Sequence, residues 1–182
     1  MRIGYNLVTI SVIILLINMN WGQKIKIRTV SGGLGMNLVE GNYGIGVVPE
    51  AEIGLGSILK DIYLHPYIAF GYNSFSREDM RFSLKQFLLG VKLLYYLDYK
   101  YEGFYLGGGV SYHLLYPDYA KRHTISNMLY KQESIESRAG FSALAGYILD
   151  YGTLWPYSEL KLYFVPNGFS SLQLSVGIFY KL

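Results

Sequence analysis

The chain has no cysteine. That excludes a disulfide framework and an N-terminal cysteine carrying a lipid anchor. Charge is scarce as well. Asp, Glu, Lys and Arg make up 16% of the residues, against about 25% in an ordinary soluble domain. The formal net charge is +3, and it is not gathered into a basic patch. Lys24, Lys26 and Arg28 alternate with isoleucines, so the clustered cations of a nucleic-acid surface are missing and no nucleic-acid partner is expected. The three histidines, His65, His113 and His123, are isolated from one another. A metal site needs clustered ligands, so neither a metal nor a cofactor is expected. The glycine runs at 31–35 (SGGLG) and 106–110 (LGGGV) lack the strand-to-helix transition of a phosphate loop.

Long apolar runs are also few. Only Leu7–Ile17 (LVTISVIILLI) is uninterrupted, and it follows Met1-Arg2. Its length suits the hydrophobic core of a secretory signal. It is shorter than the about 20 residues a membrane-spanning helix needs. Residues 1–22 therefore read as a signal cleaved after Gly22, and residues 23–182 as one domain.

What the chain does have is alternation. Apolar residues recur at every second position, with small or polar residues between them. Strict period two marks strands with two unlike faces. Residues 43–56 set Ile45, Val47, Pro49, Ala51, Ile53 and Leu55 against Gly46, Val48, Glu50, Glu52 and Gly54. Residues 61–73 set Ile62, Leu64, Pro66, Ile68, Phe70 and Tyr72 against Tyr63, His65, Tyr67, Ala69 and Gly71. The same pattern runs through 86–97 and 103–116 and through the C-terminal SSLQLSVGIFYKL, and less cleanly through 154–165. It is weaker over 26–38, and the facing is ambiguous over 138–149. About eight strands result.

The breaks between them fall into two sets. Those near Ser57–Lys60, Asp98–Glu102 and Asp150–Thr153 are short. Those near 40–42, 74–82, 117–137 and 166–170 include the longer loops, the longest at 117–137. Strands joined in series place alternate connections at opposite ends, and short turns at one end with longer loops at the other is the pattern of a membrane barrel.

The second face decides between a lipid-bathed and a water-bathed barrel. A soluble barrel would show many charges there. Instead that face carries Gly, Ser, Ala and Tyr with Glu50, Glu52 and Glu159 against Lys92, Lys161 and Arg138. Small residues leave room in a narrow lumen, and buried charges require partners. These six residues are expected to form a polar network inside the barrel, with the apolar face toward lipid. Aromatic residues crowd the strand ends: Tyr95, Tyr96, Tyr147, Tyr151, Trp155 and Tyr180 near the short turns, and Phe70, Tyr72, Tyr112, Tyr116 and Phe164 near the longer loops. Two such belts match the interfacial girdles of a membrane barrel.

With this architecture and the alternation of Val176, Ile178, Tyr180 and Leu182 at the C-terminus, the chain resembles the small eight-stranded bacterial outer-membrane proteins of the OmpX/OmpA-barrel type. The resemblance covers about residues 24–182 and implies an all-β, antiparallel, up-and-down transmembrane barrel. It implies location in the Gram-negative outer membrane after export through the periplasm, contact with lipid and lipopolysaccharide, and insertion by the barrel-assembly machinery through the C-terminal strand. Members of that group commonly end in Phe, where this chain ends in Leu. Their roles differ, and a shared fold does not choose among them.

One stretch invites a chemical reading. Lipid A deacylases are similar barrels that use a His and a Ser close together with a Glu, typically as His-x-Ser-Asn. Here His123 and Ser126-Asn127 occur with Glu133 and Glu136 beyond them. The spacing is one residue too long, because i and i+2 share a strand face and i and i+3 do not. A serine nucleophile needs a base within hydrogen-bond reach. The expected role is therefore structural or surface-interacting and non-enzymatic, with the 117–137 loop meeting an extracellular partner. An acyl hydrolase using His123, Ser126 and Glu133, and a porin-like small-solute channel, are the alternatives. An eight-stranded lumen is just wide enough for side chains, so no open pore is expected.

Overall fold

The computed structural model describes residues 26–40, 44–59, 61–77, 80–97, 103–122, 129–133, 135–166 and 170–182. They form ten strand segments: β1 (Ile27–Val39), β2 (Ile45–Leu55), β3 (Ser57–Leu59), β4 (Ile62–Arg77), β5 (Met80–Tyr96), β6 (Gly103–Arg122), β7 (Leu129–Glu133), β8 (Glu136–Ile148), β9 (Leu154–Phe164) and β10 (Ser170–Lys181). All pairings are antiparallel. The order runs β2-β1-β10-β9-β8-β6-β5-β4, and β2 then pairs with β4. The sheet thus closes on itself as an eight-strand barrel. The two short segments extend existing strands: β3 continues β2 past Gly56 along β4, and β7 runs along the far end of β6 beyond the start of β8.

Closure removes the free edges that lipid cannot satisfy. The first and last strands meet from Thr29↔Lys181 to Val39↔Ser171. The β2–β4 seam is less regular. Its register pairs are Gly46↔Asn73 and Val47↔Tyr72, then Glu50↔Ala69 to Glu52↔Tyr67. The interruption falls at Val48 and Pro49, where proline has no N–H to give to a ladder.

Three connections differ from the expectation. Ser57–Leu59, expected as part of a break, pairs with β4. The expected 74–82 loop is strand on both sides, paired as far as Arg77↔Met80. Of the expected 117–137 loop, 118–122 and 129–133 pair from Asp118↔Glu133 to Arg122↔Leu129. The longest connection is therefore, in its described residues, a two-stranded ribbon. Its polar composition is that of a loop, but a hairpin needs no apolar face to make its backbone hydrogen bonds.

The strand lengths differ accordingly. β2 has 11 residues, whereas β4, β5 and β6 have 16, 17 and 20. About 9–11 residues suffice to cross a bilayer as a tilted strand, so β4–β6 project beyond it at the end away from the short turns. The outward face changes character there. Lys85 sits in one row with Tyr72 and Tyr116, and the rows beyond it carry the exposed Ser74, Ser76 and Arg81.

Below those rows the outward face is apolar. Leu34, Met36, Ile45, Leu89, Phe104, Leu106, Phe141, Leu174 and Val176 are all at least half exposed. The facing of β8, ambiguous in the sequence, is settled: Gly140, Ser142 and Leu144 are buried, while Phe141, Ala143 and Ala145 face out. The charged and small polar residues of the spanning strands lie inside and the outer surface is apolar, the reverse of a soluble domain. Only a lipid surround makes such a surface favourable.

The expected girdles need one correction. Tyr95, Phe104, Tyr147, Tyr151 and Tyr180 face out near the short turns, and Phe70, Tyr72, Tyr116 and Phe164 face out toward the other end. Tyr96 and Trp155, placed in the same belt by the sequence, point into the lumen and are 5% exposed. Tyr95 and Tyr96 are adjacent in one strand, so the pleat sends them to opposite faces.

Candidate functional site: a charged cluster sealed in the lumen

The lumen is packed in layers. Leu94, Tyr96, Tyr105, Leu144, Ile148, Trp155, Tyr157 and Phe179 fill the half nearest the short turns. Val48, Tyr67, Ala69, Leu88 and Tyr163 form a second apolar group, and Val39, Leu84 and Leu115 a third. The charged side chains lie between the first two groups.

Five of the six residues singled out in the sequence come together there. Glu50 and Glu52 project from β2, Lys92 from β5, and Glu159 and Lys161 from β9. Their side chains are 0–1% exposed. Lys92 Nζ pairs with Glu52, with Glu159 Oε1 at 3.1 Å and with Glu50 Oε1 at 3.5 Å. Lys161 Nζ reaches Glu50 Oε2 and Glu159 Oε1, each at 2.9 Å. Two lysines thus bridge three carboxylates drawn from opposite walls of the barrel.

Neutral donors occupy the remaining carboxylate sites. Tyr105 donates to Glu159 Oε2 (3.0 Å) and Gln173 Nε2 to Glu50 Oε2 (3.1 Å). His65 Nδ1 donates to Glu52 Oε1 (3.3 Å). Both lysine ammonium groups lie 5.2 Å from the Tyr67 ring centroid, and Lys161 lies 5.6 Å from that of Tyr163. Cations over aromatic faces gain a further attraction in a desolvated site. Tyr67 has room because Gly90 stands opposite it on β5; a β-carbon on Gly90 would lie 2.6 Å from Tyr67 Cε1.

Arg138, the sixth residue, is elsewhere. It lies near the start of β8, opposite His113. Its Nη2 donates to Glu136 Oε2 at 2.7 Å, and both side chains are partly exposed, 31% and 44%. Residues two apart on one strand share a face, so the local acid takes the guanidinium before it can reach the cluster. His65 takes a place beside the carboxylates instead. Inward parity marked His65 from the sequence; that it would touch Glu52 depends on the stagger between β2 and β4, which a single strand does not carry.

Of the residues considered for catalysis, His123 and Ser126 lie outside the described residues. Glu133 lies in β7, paired with Asp118. The Ser–His contact the structure does describe is a different one: His113 Nε2 and Ser111 Oγ are 2.7 Å apart. They obey the i, i+2 rule on β6, but they are 1% and 5% exposed and packed in the lumen, so no substrate has access to them. Among the described residues, no group of three or more His, Cys, Asp or Glu is arranged to hold a metal ion.

No family model matches the sequence, and no curated protein is significantly similar to it. Solved structures are. Neisserial surface protein A is 14% identical, with a TM-score of 0.57, covering 88% of this chain and 100% of that one. Ail, the attachment invasion locus protein of Yersinia pestis, is 11% identical, with a TM-score of 0.57, covering 86% and 99%. Ail in complex with the heparin analogue sucrose octasulfate gives 0.52. At these identities the likeness concerns the fold: the chain is a small, closed, eight-stranded antiparallel β-barrel of the kind those outer-membrane proteins adopt.

Proposed function

We propose that this chain is a non-enzymatic bacterial outer-membrane barrel whose work is done at the cell surface, by the β6–β7 ribbon around residues 117–137. One observation carries the reading: the lumen is blocked by an ion cluster with side chains 0–1% exposed, which leaves the projecting strands as the part of the molecule free to meet other molecules. Residues 1–22 serve as the export signal, and the outward residues of β10 as the signal read by the barrel-assembly machinery. Lipid and lipopolysaccharide surround the apolar belt. The short turns face the periplasm, as they do in outer-membrane barrels generally. Support for a surface role comes from the neighbours, one described as a surface protein and one as an attachment and invasion protein.

The orientation is tested by epitope insertion. A tag placed between Arg122 and Leu129 is expected to be labelled by antibody on intact cells, and a tag between Asp150 and Thr153 only after permeabilisation; the opposite result overturns the proposal. Acyl release from lipopolysaccharide, measured with the wild type and with Ser126→Ala, tests its non-enzymatic half. Release by the wild type that disappears in the variant would make the protein a hydrolase.

A further inference from the structure

The outer wall of the barrel carries two cations that no carboxylate of the described residues neutralises. Lys85 and Arg81 of β5 are exposed, and neither has an ion pair or hydrogen bond there. Lys92, Lys161 and Arg138, by contrast, are all paired. Lys85 faces outward: Leu84, Gln86 and Leu88 are buried, while Phe87 and Leu89, which share its parity, are exposed. A strand tilted by about 45° climbs about 23 Å between Tyr95, in the girdle beside the short turns, and Lys85. The lipid-facing band of such a barrel is about 25 Å tall. Lys85 therefore stands at the level of lipid head groups.

Its row neighbours are Tyr72 on β4 and Tyr116 on β6, 38% and 39% exposed. Adjacent strands stand about 4.8 Å apart, so the ammonium has a phenol on either side, each able to donate a hydrogen bond. The row beneath is apolar: Phe70, Phe87 and Leu114. The rows above bring the exposed Ser74, Ser76 and Arg81, with Arg81 about 13 Å along the strand from Lys85. Asp118, the acid described on this strip, lies opposite Ser83, is half-buried and has an interaction of its own. An apolar row, then a cation between phenols, then hydroxyls and a second cation follow the order of groups along an amphiphile whose acyl chains end in a phosphorylated sugar. A soluble anion would gain nothing from the phenylalanines, and an uncharged lipid nothing from the cations.

We infer that the outer wall of β4–β6 holds a phosphorylated glycolipid, lipid A. Lys85, with Tyr72 and Tyr116, takes a head-group phosphate. Arg81 takes a second anionic group of the same molecule, and the acyl chains lie along Phe70 and Phe87. The inference rests on the orientation proposed above, with the ribbon at the cell surface.

The test titrates the purified protein in detergent micelles with bis-phosphorylated lipid A and counts retained lipid by native mass spectrometry. Micelles have no inside or outside, so this binding is read separately from the orientation, which the epitope tags test. Lys85→Gln is expected to weaken retention about five-fold, and Lys85→Gln with Arg81→Gln at least about ten-fold, the scale of one and two cations beside lipid phosphate. Lys85→Arg keeps the charge and is expected to stay within about two-fold of the wild type. Lys26→Gln removes an exposed cation just before β1 and is expected to leave retention unchanged. Each variant is first shown to migrate as a folded barrel in unheated gels. Four results would overturn the inference: equal retention of dephosphorylated lipid A, displacement of lipid A by equimolar inorganic phosphate, unchanged retention by the folded double variant, or a loss in Lys26→Gln equal to that in Lys85→Gln.

Discussion

A single lysine shows how differently charge behaves inside and at the edge of this barrel. Lys92 is fully buried and touches three carboxylates. Removing one partner of a buried ion cluster leaves uncompensated charge in a medium that cannot solvate it. Lys92→Met is therefore expected to cost about 3–5 kcal/mol, read as a lower denaturant midpoint for unfolding in detergent. Arg138 makes one ion pair at the half-exposed start of β8. Water already solvates both groups, so Arg138→Met is expected to change stability by less than about 1 kcal/mol. Equal losses in the two variants would mean that water reaches Lys92 as freely as Arg138.

At the scale of the strands, the seams are unequal. β5 and β6 pair without interruption from Met80↔Lys121 to Tyr96↔Tyr105, whereas the β2–β4 ladder skips Val48 and Pro49. A missing donor in a wall facing lipid leaves its neighbours less protected. Amide exchange is expected to be faster at Phe70, opposite Pro49, than at Val91 and Val110 in the middle of the β5–β6 seam, and hydrogen exchange of the micelle-bound protein measures it. Matching protection would show that the interruption is closed in solution. The sequence carried most of this architecture, because period two fixes facing: once Ile45 faces lipid, Glu50 and Glu52 must face inward. It could not carry what depends on stagger between strands. Whether Lys92 would meet Glu52 or Glu159, and that Arg138 would stop at Glu136, follow from the register of separate strands. The ribbon is hidden for a different reason: a polar hairpin outside the lipid has no apolar face to betray it, so the composition of 117–137 is that of a loop. Crowding at strand ends places Tyr96 and Trp155 among the girdle residues, but their parity sends them into the lumen.

At the scale of the whole molecule, the lumen is a solid rather than a passage. Among the described residues, three apolar groups and the charged cluster fill its middle. Toward the short-turn end His65, 4% exposed, closes on Glu52. Planar bilayers containing the purified protein are expected to show no single-channel steps; steady steps that vanish in Lys92→Met would show that ions follow a path through the cluster.

The cluster draws its members from β2, β5 and β9, with Gln173 of β10 beside them. The ion partners are spread over residues 50–161, so the set is complete only once β2, β5 and β9 stand in one sheet. A half-assembled sheet would carry Glu50 and Glu52 into the bilayer before Lys161 had arrived. Such a species would be expelled from hydrocarbon rather than accumulate in it. The clasp therefore closes only in the finished hoop, and an unfinished arc carries its acids without the lysine that neutralises them.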